Sequence, residues 1–246
     1  MTRAKKIVIY AVFSLIQNVQ ASTTSELPAG RKGAAATEIT PQVAFGEKSG
    51  TIEYDITDSA HRKVGLTKVI NEFEFNGNHY RFISTFMSAS GKSQFVSEGK
   101  IERNRLVPRT FSRNVAGHQD FKIDVGSEAV VITKSSGASE SLPGSLAPID
   151  IISTLYQAAS ITKETDAMLL TQVNIYGTEN TNMSYVGEET LDTRLGSQRV
   201  VHVRSKTSAT VQDIWIAPAQ YSLPVKFTIP AQGTSLIASV SKLKFK

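Results

Sequence analysis

Beyond Gly50 the dominant spacing of apolar residues is two, which places alternate side chains on one face of a sheet. Ile52, Tyr54 and Ile56 alternate with Glu53, Asp55 and Thr57, and Phe73 and Phe75 alternate with Glu72 and Glu74. Each stretch reads as a half-buried strand. Asn76-Gly77-Asn78 stands between Glu74-Phe75 and Tyr80-Arg81-Phe82, and an Asn-Gly pair tolerates the positive φ of a tight hairpin turn. Strands are expected at 64–75 and 79–88 around this turn, then at 94–104, 119–125, 128–134, 169–177, 182–191, 198–206, 211–217, 223–230 and 235–245, about a dozen in all.

One segment departs from this period. In Pro148-Ile149-Asp150-Ile151-Ile152-Ser153-Thr154-Leu155-Tyr156-Gln157-Ala158-Ala159, Asp150 can cap a helix N-terminus. Ile151, Leu155 and Ala159 then line one helical face, with Ile152 and Tyr156 beside it. The spacing predicts a helix over about 149–160, and its β-branched residues make it dependent on packing. The fold class that follows is mainly β: an antiparallel barrel or strongly curved open sheet, with this helix packed as plug or lid.

The N-terminus follows a different pattern. Arg3, Lys5 and Lys6 precede an apolar run of ten residues from Ile7 to Ile16, and Gln17-Asn18-Val19-Gln20-Ala21 follows. This is the layout of a secretory signal peptide, too short for a span of roughly 20 residues. Val19 and Ala21 offer short side chains to signal peptidase, so cleavage is expected after Ala21 and the product is expected in the periplasm, with no stable membrane span. Residues 22–50 (SELPAGRKGAAATEITPQ at their centre) show no sustained apolar period and read as a flexible linker or disordered tail, although Val43 and Phe45 could dock. Residues 51–246 then form a single β-rich domain.

Composition removes several functions. The chain of 246 residues has no cysteine, which excludes a disulfide scaffold, a thiolate metal site, a cysteine nucleophile and a lipidated N-terminal cysteine. Of its 27 Lys+Arg, three fall in the signal segment, leaving 24 against 22 Asp+Glu. A balance of +2 without a basic stripe does not suggest a nucleic-acid partner. The lysines of Lys242-Leu243-Lys244-Phe245-Lys246 read as the polar face of a last strand, placed at a sheet edge.

Candidate chemistry is sparse. His61, His79, His118 and His202 are the four histidines, and no two have the short spacing of a preassembled metal site, so neither metal nor cofactor is expected. Gly-x-Ser-x-Gly and phosphate-loop patterns are missing, and Ser160-Ile161-Thr162-Lys163 is a Ser-x-x-Lys match without companion motifs. Glu72 and Glu74 share one strand face, whereas sugar-cleaving carboxylates must oppose each other across a cleft. Glu188-Glu189 after Gly187 read as a turn or bulge. Among aromatics, Tyr80, Phe82 and Phe86 share one strand face, and Trp215 points away from Ile214 and Ile216. A core is the ordinary role for such rings. With Leu155 and Tyr156 of the helix, these four are the candidate ligand-binding residues, because strands curled around a helix can enclose more room than their side chains fill.

An ordered set of segments resembles the bacterial family known as domain of unknown function 3108. It comprises Tyr54-Asp55-Ile56 with Val64-Gly65-Leu66, Gly99-Lys100-Ile101 leading to Leu106-Val107-Pro108-Arg109-Thr110-Phe111, and Asp150-Ile151-Ile152-Ser153-Thr154-Leu155-Tyr156. Val186-Gly187-Glu188-Glu189 with Gly196, and Ile214-Trp215-Ile216 leading to Leu223-Pro224-Val225, complete it. The resemblance covers roughly residues 51 to 245 and implies an exported, β-rich envelope protein of Gram-negative bacteria, with no catalytic motif. Family members often carry proline where this chain has Ile151.

Three functions fit these features. The first is a non-catalytic periplasmic protein that binds an apolar or amphiphilic envelope molecule, such as a lipid. The second is an envelope assembly partner acting through protein contacts at a sheet edge or through residues 22–50. The third is a hydrolase or lyase on envelope polysaccharide or lipid. Signal cleavage predicts that protein recovered from a bacterial periplasm begins at Ser22, as read by intact mass; a mass retaining residues 1–21 would overturn this.

Overall fold

A computed structural model describes residues 45–246, apart from 61, 90, 146, 166, 232 and 233. The expected signal segment, most of the 22–50 spacer and His61 lie outside the described residues. Eight strands come first: β1 (Lys48–Asp58), β2 (Lys63–Asn76), β3 (His79–Ser88), β4 (Gly91–Glu102), β5 (Arg105–Val115), β6 (His118–Val125), β7 (Ala129–Lys134) and β8 (Ser139–Pro143). A two-residue β9 (Pro148–Ile149) leads into the helix α1 (Ile151–Gln157), which ends in a 3-10 turn at Ala158–Ser160. Then follow β10 (Ala167–Asn174), β11 (Gly177–Thr193), β12 (Gly196–Lys206), β13 (Val211–Ala217), β14 (Leu223–Ala231) and β15 (Thr234–Phe245).

All fifteen strands belong to one sheet, ordered β8-β7-β6-β5-β4-β3-β2-β1-β15-β14-β13-β12-β11-β10-β9. The first strand therefore lies against the last, and β8 and β9 form the two edges. Only four residues separate Pro143 from Pro148, a link that reaches at most about 18 Å. The sheet must curl until its edges are neighbours. The link is bonded to both sides: Gly144 N donates to Glu128 O beside β7 at 2.9 Å, and Thr171 N of β10 donates to Ala147 O at 2.8 Å. The result is barrel-like, with a seam closed by loop contacts instead of a strand ladder.

Register turns the inner face into rows of side chains, because directly paired residues share a face. One row runs Phe73, Phe82, Ser97, Phe111, Ile123, Ile132 from β2 to β7. The next runs Asn71, Ser84, Phe95, Arg113, Phe121, and every member of both rows is buried. α1 lies inside the curl, against β3, β4 and β5 on one side and β10 and β14 on the other. Ile152 to Gln157 are all buried, as expected of a helix enclosed on every side. No described helix is long and apolar enough to cross a membrane.

Several sequence expectations need correction. β5 was not expected, and its alternation breaks for a reason: a register slip at Glu98/Gly99 moves the inward set from Leu106 and Pro108 to Phe111 and Arg113. β8 carries mostly exposed side chains and so has no apolar alternation. The expected break between 177 and 182 lies instead at Ile175–Tyr176, and residues 148–149 pair with β10 ahead of the helix. The lysine-bearing last strand is no edge, since β15 pairs with both β14 and β1. β1 begins at Lys48, ahead of the expected boundary at 51, and Phe45 is buried against Phe75. The Asn76-Gly77-Asn78 turn forms as expected, with Gly77 at φ 57°.

Gly99 shows how tightly one corner is built. A Cβ on it would stand 2.2 Å from Val107 O and 2.7 Å from Tyr80 Oη. Gly99→Ala is therefore expected to cost about 1–3 kcal/mol in urea unfolding, by forcing the bulge and the Tyr80 ring apart. An unchanged midpoint would show that the bulge yields freely.

Candidate functional site

The helix and the aromatic rows meet at the centre of the molecule. Phe82 stacks on Tyr156 with ring centroids 4.0 Å apart and planes at 11°, and Tyr80 stacks on Phe82 at 4.7 Å. Phe75 stands edge-on to both Phe82 and Tyr156. Of the six candidate ligand residues, the structure thus joins Tyr80, Phe82 and Tyr156, with Leu155 buried on the same helix. Phe86 lies further along β3, half-buried and edge-on to Phe95 at 5.4 Å. A second series of rings continues from there through Phe111 to Phe121.

Trp215 does not join this group. It lies on the outer face, where its indole N–H donates to Glu189 and its ring stacks on His202 at 4.5 Å. Lys226 Nζ sits 4.4 Å from its centroid. Asp213 accepts from His202 Nε2 at 2.9 Å and Arg204 Nε at 2.8 Å. Burial alone would raise its carboxyl, but these two partners carry it below its ordinary range. Beyond a register slip at Val186, the β11–β12 hairpin reaches β1, where Arg194 at its tip pairs with Asp55 at 2.9 Å.

The helix is held by a buried polar anchor. Asp150, fully buried, accepts at Oδ1 from the backbone N–H of Ile152 and of Ser153, both at 2.9 Å. Its Oδ2 accepts from Ser153 Oγ at 2.8 Å and from Ser97 Oγ of β4 at 2.6 Å. Tyr80 Oη and Ser153 Oγ share a bond of 3.0 Å. One carboxyl therefore caps α1 and ties it to β4, with β3 bonded to the same cluster. Burial pushes this carboxyl above its ordinary 3.8, against the opposing pull of the Ser97, Ser153 and Ile152 donors. At the other helix end, Gln157 Oε1 accepts from Leu106 N of β5 at 2.7 Å and Nε2 donates to Asn104 O at 3.2 Å. The two serine hydroxyls also share a bond of 2.9 Å, so Asp150, Ser97, Ser153 and Tyr80 form one connected cluster.

The remaining candidates separate. Ser160 closes the 3-10 turn and its hydroxyl donates to Gln157 O, while the chain leaves helical geometry at Ile161, so Lys163 does not follow one helical turn later. Glu72 and Glu74 are exposed. Glu188 pairs with Arg199, whereas Glu189 holds Trp215. An open cleft of 670 Å³ crosses the outer face of β2–β5, and its mixed charges include the Arg81–Glu98 pair at 2.6 Å.

Sequence reasoning missed the inward polar positions Asn71, Ser84, Ser97 and Arg113. A signal existed: Asn71 has the phase of Val69, Phe73 and Phe75, and Ser84 that of Phe82 and Phe86. Arg113, also buried, reaches Asp120 at 3.2 Å and Ser93 at 3.4 Å beside the Phe95 ring.

A family model described as a protein of unknown function, DUF3108, matches residues 39–233. The chain belongs to this family. A crystal structure of a β-barrel-like DUF1849 protein from Brucella abortus superposes on this DUF3108 member with a TM-score of 0.50 at 11% identity, covering 81% of this chain and 98% of that one. A Bacteroides fragilis protein of YmcC-like fold follows at a TM-score of 0.34 and 9% identity, covering 80% and 96%. The Mycobacterium tuberculosis lipoprotein LppX gives 0.21 at 12% identity, covering 80% and 87%. No curated protein matches this DUF3108 chain. The Brucella structure agrees with a barrel-like architecture; at this identity it speaks to fold alone.

The anchor generates a paired prediction. Asp150→Ala removes the cap and the acceptor of two buried serine hydroxyls, which keep their bond to each other at 2.9 Å, so a loss of about 1–3 kcal/mol is expected in urea unfolding. Because the folded carboxyl is raised, its contribution is fully present below pH 3.8 and is lost as pH climbs towards the raised value. Asp150→Asn, which can still cap, should flatten that part of the stability–pH curve relative to the wild type. Parallel curves for the two proteins would show that Asp150 is not the titrating group.

Proposed function

We propose that this DUF3108 protein is a non-catalytic protein of the cell envelope that receives an apolar or amphiphilic envelope molecule inside its curled sheet. The observation that carries this reading is the seam. Among the described residues the two sheet edges share no strand ladder and are tied through Gly144 and Ala147, in front of an interior lined by two aromatic series. Phe86, half-buried at the far end of β3 from the helix stack, marks the mouth of that interior. Export is supported by the basic, apolar and polar zones of the first 21 residues. A non-catalytic role is supported by the anchor, where every buried hydroxyl around Asp150 is committed to holding the helix.

The test is titration of the purified protein with N-phenyl-1-naphthylamine, with circular dichroism as the check that it stays folded. A saturable rise in fluorescence is expected, weakened about fivefold by Phe86→Ala, which removes one wall of the mouth. Native mass spectrometry of protein purified gently from a periplasm should show one bound envelope molecule. A folded protein that binds neither probe nor lipid would sink the reading and turn attention to β8, which pairs only with β7 among the described residues.

A further inference from the structure

Among the described residues, five buried side-chain atoms have no hydrogen-bond partner: Asn71 Oδ1 and Nδ2, Ser84 Oγ, Tyr156 Oη and Arg105 Nε. Four of the five belong to one neighbourhood. Asn71 and Ser84 are direct cross-strand partners on the inner faces of β2 and β3. The Asn71 amide also stands close enough to the Tyr54 and Tyr156 hydroxyls to oppose the upward push that burial exerts on both, without making a bond of normal geometry to either. Neighbouring polar groups are treated differently: Tyr54 Oη donates to Pro224 O at 2.7 Å, and Ser97, Ser153 and Gln157 are all partnered. A folded interior rarely leaves hydrogen-bonding capacity unused, and three adjacent residues from three elements point to an occupant that uses it.

We infer that Asn71, Ser84 and the Tyr156 hydroxyl form a subsite for the uncharged polar end of the bound amphiphile, a hydroxyl, ester or amide group. This rests on the binding reading above and adds the orientation of the molecule, polar end beside the helix and apolar chain along the Phe86, Phe95 and Phe111 rings. Each of the three side chains can both donate and accept, which suits a group that does the same. A charged end fits poorly. Arg113, further along the same row, already engages Asp120 and Ser93, and an anion at Asn71 would be desolvated with no cation committed to it.

The experiment is displacement of bound N-phenyl-1-naphthylamine by monooleoylglycerol and by ionised oleate, which share a chain and differ at the polar end. The wild type is expected to release the probe at about tenfold lower monooleoylglycerol than oleate. Asn71→Leu and Tyr156→Phe should each erase that preference, read as the ratio of the two displacing concentrations within one protein, and Tyr156→Phe keeps the test available if Asn71→Leu fails to fold. Equal displacement by the two lipids in the wild type, or a preference that survives the substitutions, overturns the subsite and leaves the binding reading standing. A wild type that binds no probe takes both down.

Discussion

Asp150 spends one oxygen on the N-terminus of α1 and the other on Ser97 of the sheet, and this double use decides where the helix stands. A helix of seven residues has no stability of its own in water. What holds it is enclosure, and enclosure needs a sheet long enough to surround it and an attachment that sets depth and rotation. Asp150 provides that attachment at one end and Gln157 at the other, so the Tyr156 ring comes to rest flat on Phe82. The aromatic stack at the centre is thus a consequence of polar contacts at its margins.

The interior has two kinds of side-chain row. The row through Phe73, Phe82, Ser97 and Phe111 is closed, since its one polar member is consumed by the anchor. The row through Asn71, Ser84 and Arg113 keeps hydrogen-bonding groups on a face that is otherwise apolar. Such positions are costly to fold around, and a chain that only needed stability would fill them with valine or leucine. Within the second row Arg113 is engaged by Asp120 and Ser93, whereas Asn71 and Ser84 have no partner of normal geometry among the described residues.

Much of this architecture was legible in the sequence because alternation and capping are local. Ile52, Tyr54 and Ile56 announce their strand, and Asp150 announces the helix it caps. What escaped reading was non-local or phase-shifted. The slip at Glu98/Gly99 moves β5 out of step with its own pattern, so Leu106 and Phe111 do not look like one strand. The lysines of β15 suggest an edge, and only pairing with β1 shows otherwise. Trp215 was placed correctly as facing away from Ile214 and Ile216, yet nothing in its neighbourhood says that the helix lies on the far side. The inward polar residues Asn71 and Ser84 keep the phase of their apolar neighbours, so their inward position is carried by spacing and not by residue type.

The pairing of β1 with β15 has a bearing on how the molecule is made. Glu53 of β1 is clasped by Lys68 of the next strand and by Lys242 of the last, at 3.4 Å for the latter. One half of that clasp forms within a hairpin; the other must wait for the whole chain. Contacts between such distant segments slow folding, because the entropy of closing the intervening loop is lost before the contact is gained. Until β15 arrives, β1 offers a bare backbone edge to any strand nearby. The interval in which that edge is bare therefore lasts until the C-terminal strand has been made and docked.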